Sequence, residues 1–227
     1  NPIKVKDEVI KKELPILLLT TIMFALSIAF HYIFENNMNF ILNRTDGLIF
    51  VFLFSVFIFY IVSVIKSKQG ILEYTKPKYN IWVSILITIV CCVVIVYSSD
   101  LVVDNAKTLA ALLGVSEKLI TMTVVVIGTS LPEMTMTVVA SKKGEFDIAL
   151  GNIIGTNIFN IGIVLGLPLL IYGGFASSSF NLIDIGAVVV AVVVFYLFAR
   201  NDKVLSKLEG SIMILIFLIY YTYVFLT

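Results

Sequence analysis

Charge is what this 227-residue sequence has least of: 14% of its residues are Asp, Glu, Lys or Arg, against about 25% in ordinary soluble domains. With 59% hydrophobic residues and a mean hydropathy of +1.05, that scarcity excludes a soluble globular domain and points to an integral membrane protein. A net charge of +1 argues for neither nucleic-acid binding nor a basic surface. The single histidine, His31, ends an apolar run and reads as an interfacial residue rather than a proton relay. The two cysteines, Cys91 and Cys92, are adjacent inside another apolar run, where they read as small apolar fillers and report no redox compartment. The opening NPIKVKDEVIKKE has mixed charge and does not read as a signal peptide.

Long apolar runs are what the sequence has instead. A helix needs roughly 17 to 25 apolar residues to cross the bilayer core, and seven stretches qualify: Leu14–Phe34, Leu48–Ile65, Ile81–Val103, Leu119–Ala140, Ile148–Tyr172, Ile183–Ala199 and Ser211–Thr227. Runs such as IGAVVVAVVVFYLF do not alternate as barrel strands would, so an all-α membrane protein with seven transmembrane helices is expected. If the segments alternate in direction, Lys4, Lys6, Lys11, Lys12, Lys66, Lys68, Lys76, Lys78, Lys142, Lys143, Arg200, Lys203 and Lys207 share one side. Arg44, Lys107 and Lys118 share the other, which accounts for all 16 basic residues. The positive-inside rule then places the N-terminus of this chain in the cytoplasm and its C-terminus outside. Trp82 and Tyr79 fit an aromatic belt at the cytoplasmic interface.

An internal repeat is also legible. LNRTDGLIF at Leu42–Phe50 and LSKLEGSIM at Leu205–Met213 share the pattern Leu, any, basic, any, acidic, Gly, any, Ile at an offset of 163. An acidic residue is favoured in the first turn of any helix, so the pattern can mean no more than two helix starts. Five segments separate the copies, however, so they face opposite sides of the membrane, as an inverted repeat requires. Repeats of five segments give residues 1–65 as the last two helices of a first repeat, 66–80 as a cytoplasmic linker and 81–227 as the second repeat. The first repeat would then begin about 80 residues before Asn1, and the chain is expected to be the last seven helices of a ten-helix, 5+5 fold.

The chemistry gathers in GTSLPE and GNIIGTNIFNIG. Pro132 lacks an N–H and clashes with the carbonyl four residues back, so a helix break is expected there, and unwound carbonyls at membrane depth make cation ligands. Thr129 and Glu133 stand at i, i+4 and Ser130 and Glu133 at i, i+3, which lets two hydroxyls and a carboxylate share a face. In the next segment Asn152, Thr156 and Asn160 recur every fourth position, while Gly151 and Gly155 permit close helix approach. Glu133, Thr129, Ser130, Thr156, Asn160 and carbonyls near Val126–Gly128 supply about the 6 to 8 oxygens that Ca²⁺ takes. No Cys or His lies nearby to suit zinc, copper or iron. Small and polar residues in membrane helices also serve as interhelical glue. Glu133 resists that reading, because a carboxylate at a helix centre costs about 2.5–3.5 kcal/mol on insertion scales.

GTSLPE at Gly128–Glu133, followed by GNIIGTNIFNIG at Gly151–Gly162, resembles the second α-repeat of the cation/Ca²⁺ antiporter superfamily, particularly the prokaryotic sodium/calcium exchangers. The likeness extends through Val102–Ile120 and Arg44–Gly47, with the α-repeat at about 119–172. It implies that Glu133 is the main carboxylate ligand shared by Ca²⁺ and Na⁺, with Thr129 and Ser130 beside it. Thr156 stands where the family commonly has Ser and keeps the hydroxyl. Asn160 stands where some exchangers, the K⁺-dependent branch among them, carry Asp, which argues against K⁺ dependence. Val126 replaces a usual Ala without removing the backbone carbonyl.

The resulting expectation is a cell-membrane antiporter, not an enzyme, that exports Ca²⁺ for Na⁺ by alternating access. No cofactor is expected beyond the transported ions, and the partners are the lipid bilayer and a missing N-terminal half. A Ca²⁺/H⁺ antiporter is the alternative, and a passive cation channel a further one. A retinal protein lacks its lysine in the last segment, and an intramembrane hydrolase using Thr129 or Ser130 lacks a His or Lys base.

Overall fold

A computed structural model of the chain describes residues 2–34, 40–67, 79–112, 114, 126–177 and 182–226. They form two compact units, Asn1–Ser67 with Ala140–Thr227, and Lys68–Val139. Most of the expected linker lies outside these residues, as do 119–125 of the expected fourth span.

The first unit opens with strand β1 (Ile3–Lys4) and a π-helical stretch, Val9–Glu13, that runs into helix α1 (Leu14–Phe34). Strand β2 (Phe40–Asn43) leads into α2 (Arg44–Ser67). Helix α4 (Val126–Lys142), which the division between units cuts, is followed by α5 (Phe146–Phe159), a second π-helical stretch, Asn160–Leu165, and α6 (Gly166–Tyr172). Strand β3 (Gly174–Ser177), α7 (Leu182–Arg200), β4 (Val204–Leu205) and α8 (Lys207–Leu226) complete it. The second unit contains α3 (Ile81–Leu112) and most of α4.

Among the described residues, five helical stretches are long and apolar enough to cross a membrane: Val9–His31, Arg44–Ser67, Phe146–Tyr172, Leu182–Arg200 and Lys207–Val224. They match five of the seven expected spans. The other two correspond to α3, whose apolar part Ile81–Cys91 is shorter, and to α4, which begins at Val126.

The starts of α2 and α8 follow from local chemistry. Asn43 caps α2, its Oδ1 accepting from the amides of Thr45 (2.8 Å) and Asp46 (3.3 Å), while Asp46 Oδ2 accepts from the Asn43 amide at 2.8 Å. Ser206 caps α8 in the same way: its Oγ accepts from the Glu209 amide at 3.2 Å, and Glu209 Oε2 accepts from the Ser206 amide at 2.7 Å. These are two capping boxes. The recurrent acidic residue of the repeat pattern is the third residue of its helix in both copies.

The core of the first unit is built where α1, α2, α5 and α7 meet, with Leu14, Leu17, Phe57, Leu150, Ile154, Ile158, Phe195 and Ala199 buried together. Between helices in lipid there is little hydrophobic gain, so close packing carries the association. Glycine permits it here. A Cβ on Gly47 would lie 2.8 Å from both the Gly166 carbonyl and Leu169 Cβ, and one on Gly162 would lie 2.5 Å from Phe54 Cβ. The α2 backbone therefore rests directly on Asn160–Leu165 and α6. Gly173 closes α6 at φ +91°, its amide donating to the Leu169 carbonyl at 2.9 Å, a left-handed conformation suited to glycine.

Two short antiparallel ladders tie the loops. β1 pairs with β4, with Ile3 opposite Leu205, and β2 pairs with β3, with Asn43 opposite Gly174. The first is reinforced by the Val5 amide donating to the Lys203 carbonyl (2.9 Å), by Lys203 Nζ 2.7 Å from Asp7, and by Lys6 bonded to Asp147. Lys203, first by its hydrogen bond and then by its charge, holds the Asp7 carboxyl below its ordinary range. The hydrogen bond from Lys6 to Asp147, with the attendant charge attraction, holds the Lys6 ammonium above its own.

Candidate functional site

The sequence-predicted site residues fall on two helices. Thr129, Ser130 and Glu133 lie within one turn of α4, Thr156 lies near the end of α5, and Asn160, one turn on, is the first residue after it. The first three, one candidate half-site, belong to the unit Lys68–Val139, and the other two, a second candidate half-site, belong to the other unit.

In the first half-site, α4 runs as a continuous helix through Pro132. The break expected at that proline is therefore corrected. A missing N–H and a local bend are the whole effect of one proline, and in lipid the remaining backbone groups have only the helix to satisfy them. The carbonyl of Gly128 is the one deprived of its usual donor. Gly128 is buried, and a Cβ there would lie 2.9 Å from Val103 Cγ2, so α4 rests on α3 at this level. Glu133 is half-buried and Thr129 and Ser130 are exposed. Helical geometry leaves Glu133 about 40° round from Thr129, so carboxylate and hydroxyl point the same way.

In the second half-site, Thr156 is half-buried and Asn160 exposed. Asn157, one step round the helix, is committed elsewhere, its Nδ2 donating to the Ile153 carbonyl at 2.8 Å. The departure from α-helix expected at Pro132 occurs here instead, because Asn160 is the first residue of the wide stretch ending at Leu165. Pro168 lies three residues beyond its end. Its ring reaches back toward the carbonyl of Val164 and it has no N–H to offer, and a wide turn gives that carbonyl room.

Among the described residues no three His, Cys, Asp or Glu side chains gather as a metal-holding group. The candidate ligands beside Glu133 are thus neutral oxygens, which suit a hard cation.

Two further polar residues take positions that the sequence did not reveal. His31, the last residue of its candidate span, is buried, its Nε2 lying 3.0 Å from Asp46 Oδ2 and 3.3 Å from Asn43 Nδ2, so α1 is tied to the cap of α2. Asp184 accepts a hydrogen bond from Tyr220 Oη at 2.9 Å, joining α7 to α8. The wide turn itself had one legible signal. Leu150, Ile154, Ile158, Gly162 and Gly166, all buried, recur at a strict spacing of four, which an ordinary helix cannot keep on one face.

Residues 83–226 match the family described as sodium/calcium exchanger protein. Among similar proteins, inner membrane protein YrbG of Escherichia coli (strain K12) is 35% identical over 188 residues, covering 77% of this chain and 54% of that protein. The putative antiporter CaxA of Alkalimonas amylolytica is 32% identical over 232 residues, covering 97% and 69%. Sodium/calcium exchanger MaX1 of Methanosarcina acetivorans is 35% identical over 138 residues, covering 60% and 39%. The chain thus spans about half the length of the first of these. A solved structure of the sodium-calcium exchanger NCX_Mj, soaked with Na⁺ and Sr²⁺, superimposes with a TM-score of 0.75 at 26% identity, covering 98% of this chain and 68% of that one.

Proposed function

Because this chain belongs to the sodium/calcium exchanger protein family, we propose that it is the C-terminal part of an antiporter that exports Ca²⁺ in exchange for Na⁺. The observation that carries the reading is Glu133, a carboxylate within an apolar helix, set one turn from Thr129 and beside a proline that frees a carbonyl. A carboxylate in that setting is costly and marks an ion pathway. Glu133 is the main ligand, with Thr129 and Ser130 on its helix, and Thr156 and Asn160 are the further ligands.

The swapped ladders support the inverted repeat. In a 5+5 arrangement β2 and β4 both precede the last helix of their repeats, and β1 and β3 both precede the helix before it. β2 pairs with β3 and β4 with β1, which is the exchange a two-fold axis in the membrane plane produces. Residues 1–65 are then the end of the first repeat, 66–80 the linker and 81–227 the second repeat. The full count is seven spans in this chain and ten in the protein, which lies in the cell membrane with Asn1 inside and Thr227 outside. Alternating access follows from relative movement of the two repeats around a fixed site at mid-membrane.

The test is Ca²⁺ uptake into proteoliposomes holding the full-length protein, with Na⁺, K⁺ or H⁺ gradients imposed separately. Uptake driven by an outwardly directed Na⁺ gradient is the expected result. Uptake driven only by H⁺ would assign the alternative counter-ion, and flux without any counter-gradient would make the protein a channel.

A further inference from the structure

The buried residues Leu150, Ile154, Ile158, Gly162 and Gly166 span four steps of four residues. In an α-helix each such step drifts by about 40°, so four steps would carry Gly166 most of the way to the opposite side. All five remain buried because the wide stretch Asn160–Leu165 takes up the excess, its turns holding more residues than an α-turn. Both flanks of that stretch are fixed. Before it, Ile154 and Ile158 are fully buried in the core. After it, Gly162 and Gly166 sit against Phe54 and Phe50 of α2, where added Cβ atoms would lie 2.5 Å and 3.1 Å from the respective phenylalanine Cβ atoms. Phe54 is itself held edge-on by Phe159, with ring centroids 5.8 Å apart. The residue caught between the two fixed flanks is Asn160.

On the reading that Asn160 is an ion ligand, we propose that Gly162, seated against Phe54, is a positioning residue for the ion site. It lets the wide turn lie against α2, and the turn in that position aims the Asn160 amide oxygen. Carbon atoms in ordinary contact stand about 3.5–4.0 Å apart, so a methyl at 162 must push the turn off α2 by about 1 Å. A Ca²⁺ ligand works within about 2.3–2.6 Å, and a displacement of that size removes it. The site loses affinity while the helices on either side keep their packing.

The experiment is an epistasis cycle in the full-length protein, read as the Ca²⁺ concentration for half-maximal Na⁺-driven uptake, the maximal rate, and the thermal stability of the purified protein. Asn160→Ala and Gly162→Ala should each raise the half-saturating Ca²⁺ concentration by roughly two- to tenfold, the worth of one neutral contact. The double variant should match Asn160→Ala alone, since a ligand that has been removed cannot be misaimed. An undiminished effect of Gly162→Ala in the Asn160→Ala background, or no effect of Gly162→Ala at all, overturns the proposal. If Gly162→Ala does not insert, Phe54→Leu, which keeps Cβ and Cγ but loosens the clamp, enters the same cycle with the same criteria. An Asn160→Ala variant with unaltered Ca²⁺ dependence removes the ligand reading and this inference with it, whereas additivity removes this inference alone.

Discussion

Glu133 sits in the second turn of α4, half-buried, one turn beyond Thr129 and directly after Pro132. Replacing it by Gln keeps its size and hydrogen-bonding capacity while deleting the charge that a hard divalent cation needs. Glu133→Gln in the full-length protein should reduce Na⁺-driven Ca²⁺ uptake to background although the protein still inserts and purifies; substantial flux would take Glu133 out of the site. Thr156→Ala should only weaken Ca²⁺ affinity, because it removes one neutral oxygen. Asp46 offers a contrasting carboxylate. It is buried, accepts from the Asn43 amide and lies 3.0 Å from His31, so its role is to hold the start of α2. Asp46→Ala should lower thermal stability by about 1–3 kcal/mol, with the Ca²⁺ dependence of the surviving protein unchanged. A shifted Ca²⁺ dependence would place Asp46 on the ion route instead.

The helices of this chain were largely legible as apolar runs, since length and hydropathy are properties of sequence alone. What was not legible is where backbone leaves the α-helix. Pro132 advertises a break that α4 does not make, whereas Asn160–Leu165 departs from the α-helix without a Gly-Pro or Pro-Gly signal of its own. The reason is that a proline constrains one hydrogen bond, while the wide turn answers to packing: a four-residue stripe has to stay against α2. The candidate ligands were all legible as oxygen-bearing residues at helical spacing. The pairings of His31 and Asp184 were not, because each partner lies on a different element from the residue it meets. The N-terminal segment yields a prediction at this scale. Asp7 has its carboxyl lowered by Lys203, so that contact is fully present above pH 3.8, the ordinary Asp value, and is lost as pH falls through the lowered one. Lys6, raised by Asp147, contributes fully below 10.5 and is lost as pH rises through its raised value. Asp7→Asn should therefore speed hydrogen exchange at the Val5 amide near neutral pH. At pH well below 3.8 the variant and the original should exchange alike. No difference near neutrality would mean that the β1 and β4 ladder holds without the ion pair.

For the whole molecule, the proposed orientation assigns every loop to a side. In a background without Cys91 and Cys92, a cysteine at Lys4 should resist impermeant thiol reagents applied from outside, and one at Asn37, beyond the described residues, should react. The reverse pattern would overturn the orientation. The 227 residues alone should not transport. Glu133 is the one carboxylate placed deep in an expected span, and a single carboxylate leaves bound Ca²⁺ with a net positive charge in a poorly solvated cavity, at a cost of several kcal/mol. Reconstitution of this chain alone should give no gradient-driven Ca²⁺ flux, and co-reconstitution with a separately expressed N-terminal part should restore it. The ladders carry a further consequence, for the order of events at the ribosome. Ile3 finds Leu205 and Asn43 finds Gly174, so the first partner strand is made some 200 residues ahead of the last. At about 5–20 residues per second, α1 waits roughly 10 to 40 s in the bilayer before α7 and β4 emerge to cover it. Leu14 and Leu17, which pack with Phe195 and Ala199 in the finished unit, lack those partners throughout that interval, which leaves α1 dependent on a temporary neighbour in the membrane.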